Sequence, residues 1–143
     1  MSKTREIELA VSEIVDSQRG LKYLLSLNLP GQMVVDLIKF IKKKIEPQVE
    51  IYSIAEKKLL KQYGSEIIEN NRPTNNFEFE TKDKGDKFDS EIKPIRANKI
   101  TIIAPVFDYQ KVIELNPKMK NSGDLLLIDF LFDFEDKEAA EQK

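Results

Sequence analysis

One stretch, residues 32–63 (QMVVDLIKFIKKKIEPQVEIYSIAEKKLLKQY), dominates the 143-residue sequence. Its apolar residues recur at steps of three and four, which is typical of one face of an α-helix. We therefore predict a single helix about 45 Å long, at 1.5 Å per residue. Pro47 is expected to bend or split this helix because it lacks a backbone N–H and its ring disturbs the preceding turn. The predicted buried stripe comprises Val34, Ile38, Ile41, Ile45, Val49, Tyr52, Ala55, Leu59 and Tyr63.

A shorter amphipathic helix precedes the long one. Within residues 5–27, apolar residues again follow helical spacing, although residues 7–9 alternate and are also compatible with a short strand. The sequence Asn28-Leu29-Pro30-Gly31 indicates a stop and a restart, since Asn suits a helix end and Pro suits a first turn. Gly64 is well placed to end the second helix. Residues 5–64 are therefore predicted to form an αα-hairpin with a longer second arm.

The second half of the chain has a mixed pattern. Residues 70–76 are dense in turn formers, residues 77–81 alternate, and residues 99–104 are β-branched, as expected of a strand. We predict a charged turn around Gly85, one or two helical turns from Phe88 to Pro94, and a C-terminal helix from Ser122 through Phe132; residues 109–115 remain ambiguous. The predicted fold class is thus α+β, with a long αα-hairpin, a small β element and a short C-terminal helix. These form a single domain, residues 1–134, in which 5–64 is the hairpin and 65–134 the α+β part. Residues 135–143 are a polar tail.

Composition excludes several kinds of chemistry. The chain has no His, no Cys and no Trp, which removes disulfides, thiolate nucleophiles, imidazole bases and the usual zinc sites. The five glycines never cluster, so neither a phosphate-binding loop nor a dinucleotide fingerprint is present. We expect no enzyme activity, no catalytic or cofactor-binding residue, no cofactor and no metal site.

Two groups of carboxylates are candidate metal-binding or acid–base sites. Asp129 and Asp133 are four residues apart on the predicted C-terminal helix, a spacing that suits Mg²⁺ binding or acid–base catalysis. The favoured interpretation is an exposed acidic face. Asp83, Asp86 and Asp89 lack the spacing of a calcium loop and are interpreted as part of a charged turn.

The lysine pattern does not indicate a nucleic-acid-binding site. Lys42, Lys43 and Lys44 lie on the long helix with other lysines, but Glu46 and Glu50 interrupt this patch and the net charge is −2. The segment from residue 30 to 64 is mildly basic and the C-terminus is acidic, so the two could meet within one molecule or between neighbours. For these reasons we expect no nucleic-acid binding. We also expect no membrane binding, because the longest fully apolar run has only four residues, 125–128.

The far end of the long helix is the best candidate binding surface. The first helix is too short to cover it, so something else must bury Val49, Tyr52, Leu59, Leu60 and Tyr63. Either the C-terminal half of the chain does so, or a protein partner does, including a second copy.

The layout resembles a small bacteriophage-encoded protein family of unknown function. The resemblance lies in Leu24-Leu25, Leu29-Pro30, the lysine-rich helix and Tyr63-Gly64, followed by Phe88, the strand at 100–103 and the segment 122–131. The asparagine-rich residues 70–76 and Pro47 depart from this pattern. The resemblance implies a phage or prophage origin and supplies no catalytic residue.

We therefore expect a non-enzymatic protein that acts through protein–protein contacts in virion or tail assembly, located in the host cytoplasm or the virion. The alternatives are a modulator or inhibitor of a host protein and, third, a carboxylate–metal enzyme.

Overall fold

The chain folds as an α+β protein, as the sequence predicts. The computed structural model describes residues 3–119 and 122–133. Its helices are α1 (Val11–Ser26), α2 (Gly31–Phe40), α3 (Glu46–Tyr63), α4 (Lys82–Ala97), α5 (Tyr109–Leu115) and α6 (Ser122–Leu126). Its strands are β1 (Thr4–Ala10), β2 (Ser65–Glu69), β3 (Arg72–Glu78), β4 (Lys99–Pro105), β5 (Phe107–Asp108) and β6 (Phe132–Asp133). The predicted tail, 135–143, lies outside the described residues.

The predicted long helix is present as α2 and α3, joined without a break by a π-helical turn at Ile41–Ile45. In this turn the Glu46 N–H donates to the carbonyl of Ile41, five residues back. The π turn lies directly before Pro47, whose missing N–H and bulky ring disfavour a regular turn in the helix interior. Pro47 therefore occupies the first turn of α3 and does not split the helix.

The predicted buried stripe faces the rest of the protein in α3, where Tyr52 is buried and the other four residues are half-buried, but it is wrong in α2. Leu37 and Phe40 are buried in α2, whereas Ile38 is 39% exposed and Val34 is half-buried. The next buried residue after Phe40 is Ile45, a step of five. The π turn accommodates this extra residue, so Phe40 and Ile45 both face the main core although they are five residues apart.

The N-terminal segment begins as a strand, which confirms the alternative interpretation of residues 7–9. β1 pairs antiparallel with β4, with Ile7 opposite Ile102 and Leu9 opposite Ile100. Alternate residues of both strands face the core, and the other face of this two-stranded sheet is solvated, as is common for antiparallel sheets. The helical part of the predicted first segment starts at Val11.

The middle of the chain differs from prediction in two places. Of the turn-forming residues 70–76, only Asn70 and Asn71 form the turn, and Arg72 onward belongs to β3. Both asparagines are at positive φ, which suits a tight two-residue turn between β2 and β3. The charged turn predicted around Gly85 is instead part of the 16-residue helix α4, which contains Gly85 and also Pro94. The Thr81 hydroxyl accepts the Lys84 N–H at 3.2 Å and caps this helix.

The predicted C-terminal helix is shorter than expected. α6 ends at Leu126, and a 3₁₀ turn, Asp129–Leu131, leads into β6, which runs parallel to β5. The Arg5 guanidinium donates to the carbonyls of Phe130 and Phe132, so the last described residues are held to β1 rather than continuing a helix.

Two hydrophobic clusters hold these elements together. The main cluster combines residues from the predicted hairpin, such as Leu24 and Leu37, with Ile128 and Leu131 from the second half. The smaller cluster contains Val11, Tyr52, Phe88 and Ile92, contributed by α1, α3 and α4. This second cluster positions the candidate site.

Candidate protein-interaction surface

The structure places the five predicted interface residues against the chain's own helices. Tyr52 is only 8% exposed and belongs to the smaller cluster. Leu59, Leu60 and Tyr63 are half-buried against that cluster, and Val49 packs against the main one. Of the two alternatives for burying these residues, the C-terminal half of the chain, through α4, therefore contributes. A partner at these five residues stays a prediction.

A polar network fixes α3 to α4 behind this surface. The Tyr52 hydroxyl donates to Glu56 Oε2 at 2.7 Å and accepts from Arg96 Nε at 2.8 Å. Arg96 also lies 3.6 Å from the Glu56 carboxylate. Burial, and then the hydrogen bond to Glu56, raises the pKa of Tyr52. Tyr52 is therefore neutral at physiological pH and holds α3 in a fixed position on α4.

The exposed apolar residues of α3 lie on a different side from the predicted interface. Ile51 and Ile54 are 62% and 63% exposed and three residues apart, so they are neighbours on the helix surface. Prediction missed them because they do not belong to the buried stripe. Their apolar character outside that stripe was the available signal. The two adjacent isoleucines form a small contiguous apolar patch, which makes this side of α3 a candidate binding surface.

Charged residues flank these isoleucines in a definite order. Glu46 and Glu50 precede them, and three lysines follow them toward the C-terminal end of α3. All these charged side chains are exposed, and none forms an ion pair with another residue in the described ranges. We call this surface the α3 outer face, and it comprises Glu46, Glu50, Ile51, Ile54, Lys57, Lys58 and Lys61.

An apolar groove of about 330 Å³ borders the α3 outer face. Ile51 lies at its edge, with Ala55 from α3 and with Pro94 and Ile95 from α4. Gln48 supplies a polar group in this lining. Because Ile51 belongs to both surfaces, the groove and the α3 outer face form one continuous region on the solvent side of the molecule.

Three of the four lysines at residues 39–44, before Pro47, line a separate and smaller groove of about 200 Å³. Lys39, Lys43 and Lys44 lie there beside Phe40 and Ile103. The predicted basic patch is therefore divided, since Lys57 and Lys61 belong to the α3 outer face.

The acidic C-terminal residues do not pair with the basic helix in the part of the chain that the structure describes. Asp124 lies 2.9 Å from Arg19, and Asp133 lies 3.0 Å from Lys3. The lysines of α2 and α3 have no such partner among residues 3–119 and 122–133.

The predicted carboxylate pair does not share a helix face. Asp129 begins the 3₁₀ turn and Asp133 lies in β6, because the C-terminal helix stops at Leu126. Asp83, Asp86 and Asp89 lie along α4 rather than in a loop. Within the described residues, acidic side chains nowhere gather in a group of three or more that could hold a metal ion.

Comparisons of the chain with protein-family models, curated proteins and solved structures give no match. Among the described residues, no helix has the length and apolar character needed to cross a membrane. The resemblance to a phage-encoded family stays a prediction.

Proposed function

We propose that this chain is a non-enzymatic phage or prophage protein that acts through protein–protein contacts made by the α3 outer face. The observation that carries the proposal is the exposure of Ile51 and Ile54, side by side on a helix that Tyr52 and Arg96 fix in place. A rigid apolar anchor with charged residues around it has the composition of a protein interface, in which a few buried side chains supply most of the binding energy.

The apolar contribution of this surface is moderate. Full burial of an isoleucine side chain is worth about 1.5–3 kcal/mol. Ile51 and Ile54 retain about 60% of their exposure, so covering both would contribute about 2–4 kcal/mol. The flanking charges then determine orientation and rate of association more than affinity. The expected contact is specific and reversible.

A role in virion or tail assembly rests on the resemblance to the phage family, and the α3 outer face is the surface through which an assembly partner would bind. Partner identity separates this role from the alternative: a virion component favours assembly, whereas a host protein favours modulation of the host. No observation on the described residues favours the carboxylate–metal enzyme.

The test uses a double substitution, Ile51→Glu/Ile54→Glu, in the full chain produced in its native host. Both side chains are already exposed, so we expect an unchanged thermal melt and at least a tenfold loss of the associated protein in quantitative affinity purification. The matched control is Ile68→Glu/Leu126→Glu, which places the same charges at side chains that are 66% and 71% exposed on β2 and α6. Equal recovery with both variants would contradict the proposal, as would a wild-type chain that associates with nothing, itself included.

A further inference from the structure

The order of charges along the α3 outer face is complementary to the same order read in the opposite direction. Read from the N-terminal end, the order is Glu46, Glu50, the two isoleucines, and then the lysines. A second α3 running in the opposite direction presents lysines opposite the glutamates and glutamates opposite the lysines. A parallel second α3 would instead place like charges together, which opposes association.

The spacing along α3 is consistent with a single two-fold axis. Glu46 and Lys61 are equidistant from a point between Ser53 and Ile54, and so are Glu50 and Lys57. A two-fold axis at that level therefore places Glu46 opposite Lys61 of the second copy and, at the same time, Glu50 opposite Lys57. A closed dimer with two-fold symmetry requires this kind of self-complementary patch.

The same axis passes through the apolar part of the surface. Ile54 lies next to it, so the Ile54 side chains of the two copies meet at the centre with the ion pairs at the two ends, while Ile51 lies at one edge of this contact. The helical spacing supports this face, since Glu46, Glu50, Ile54, Lys57 and Lys61 follow one another at steps of three and four.

We infer that the partner bound by the α3 outer face is a second copy of this chain, packed with its α3 antiparallel. The inference rests on the proposed function, because it names the partner of that same surface. α3 has 18 residues and is about 27 Å long, so the contact is small for a stable dimer. We therefore expect reversible dimers with a dissociation constant in the micromolar range or weaker.

The experiment uses two charge-reversed forms of the full chain. In the first, Glu46→Lys/Glu50→Lys makes the α3 outer face basic throughout. In the second, Lys57→Glu/Lys61→Glu makes it mostly acidic. Sedimentation velocity over a concentration series is expected to show dimers for the wild type and at least a tenfold weaker association for each variant alone. An equimolar mixture of the two variants is expected to recover dimers, because opposite charges then face each other at all four paired positions, 46, 50, 57 and 61.

A control pair separates this pairing from general attraction between oppositely charged proteins. Glu6→Lys/Glu8→Lys and Lys93→Glu/Lys111→Glu make the same charge changes at exposed residues of β1, α4 and α5. Each control variant alone is expected to dimerise like the wild type. Thermal melts of all variants check that the fold is unchanged.

Three results would overturn the inference: a wild type that is monomeric at every concentration, either α3 variant dimerising as strongly as the wild type, or a mixture that fails to recover dimers. The first result leaves the proposed function intact if the monomer still loses a different bound protein on Ile51→Glu/Ile54→Glu substitution. The failure of one proposal is therefore distinguishable from the failure of the other.

Discussion

Replacing Gly20 by alanine gives the sharpest test of how α1 and α6 pack. Gly20 lies inside α1, where a glycine ordinarily costs about 1 kcal/mol relative to alanine. From the sequence alone, Gly20→Ala is therefore expected to stabilise the protein. The structure reverses this expectation, because a Cβ at this position would lie 2.4 Å from the backbone oxygen of Asp124 and 3.0 Å from a methyl carbon of Ile128.

The size of the effect follows from these distances. The Cβ would be about 1 Å inside ordinary contact with a backbone oxygen, which cannot rotate away as a side chain can. Forcing extra carbon into a packed site typically costs about 1–3 kcal/mol, and a rigid neighbour favours the upper half of that range. Subtracting about 1 kcal/mol of gained helix propensity leaves a net destabilisation of about 1–2 kcal/mol. For a protein of this size the melting temperature should fall by about 3–8 °C.

Urea unfolding followed by circular dichroism measures this change, with Gly31→Ala as the matched control. A Cβ at Gly31, the first residue of α2, would meet no atom within 4 Å, so the control should be neutral or gain about 0.5 kcal/mol. If Gly20→Ala proves as stable as Gly31→Ala, then α1 and α6 do not approach each other as described, and the packing argument fails.

Two further predictions concern buried polar groups. Asn116→Ala should destabilise the protein by about 2–4 kcal/mol in urea unfolding, because this 9%-exposed side chain makes three hydrogen bonds, two of them to the backbone of Asn28; a loss below 0.5 kcal/mol would contradict this. The raised pKa of Tyr52 predicts a stability contribution that is complete below about pH 10 and is lost as pH rises further, since the unfolded chain releases the proton first. The wild type should therefore lose more stability than Tyr52→Phe above pH 10, and parallel losses would refute the assignment.

Much of the helical part of the fold was predictable from local pattern. The steps of three and four between residues 32 and 63 correctly predict a helix that reaches Tyr63. The π turn was not predictable, because a one-residue offset leaves the apolar pattern of α2 ambiguous: both Val34–Ile38 and Leu37–Phe40 fit a helical face. Only the packing of Phe40 and Ile45 on the core decides between them.

Elements that depend on distant partners were less predictable. The strand β1 is specified by its pairing with β4, about 95 residues later, whereas the local pattern of residues 5–10 also suits a helix. The helix α4 contains Gly85 and Pro94, both unfavourable, and burial of Phe88 and Ile92 against α3 outweighs them. Packing on α4 likewise explains why Tyr52 is buried while Leu59, Leu60 and Tyr63 are half-buried.

The π turn accommodates one extra residue within the continuous helix that α2 and α3 form. Each residue of an α-helix advances the chain by about 100° around the axis. A π turn holds one residue more than the α turn it replaces, so deleting one residue from 41–45 would restore a regular turn and leave Tyr52 beside Phe88. Deleting one residue between Gln48 and Ile51 would instead turn the rest of α3 by about 100°, so that its packing on α4 is lost while α2 keeps its contacts with the core.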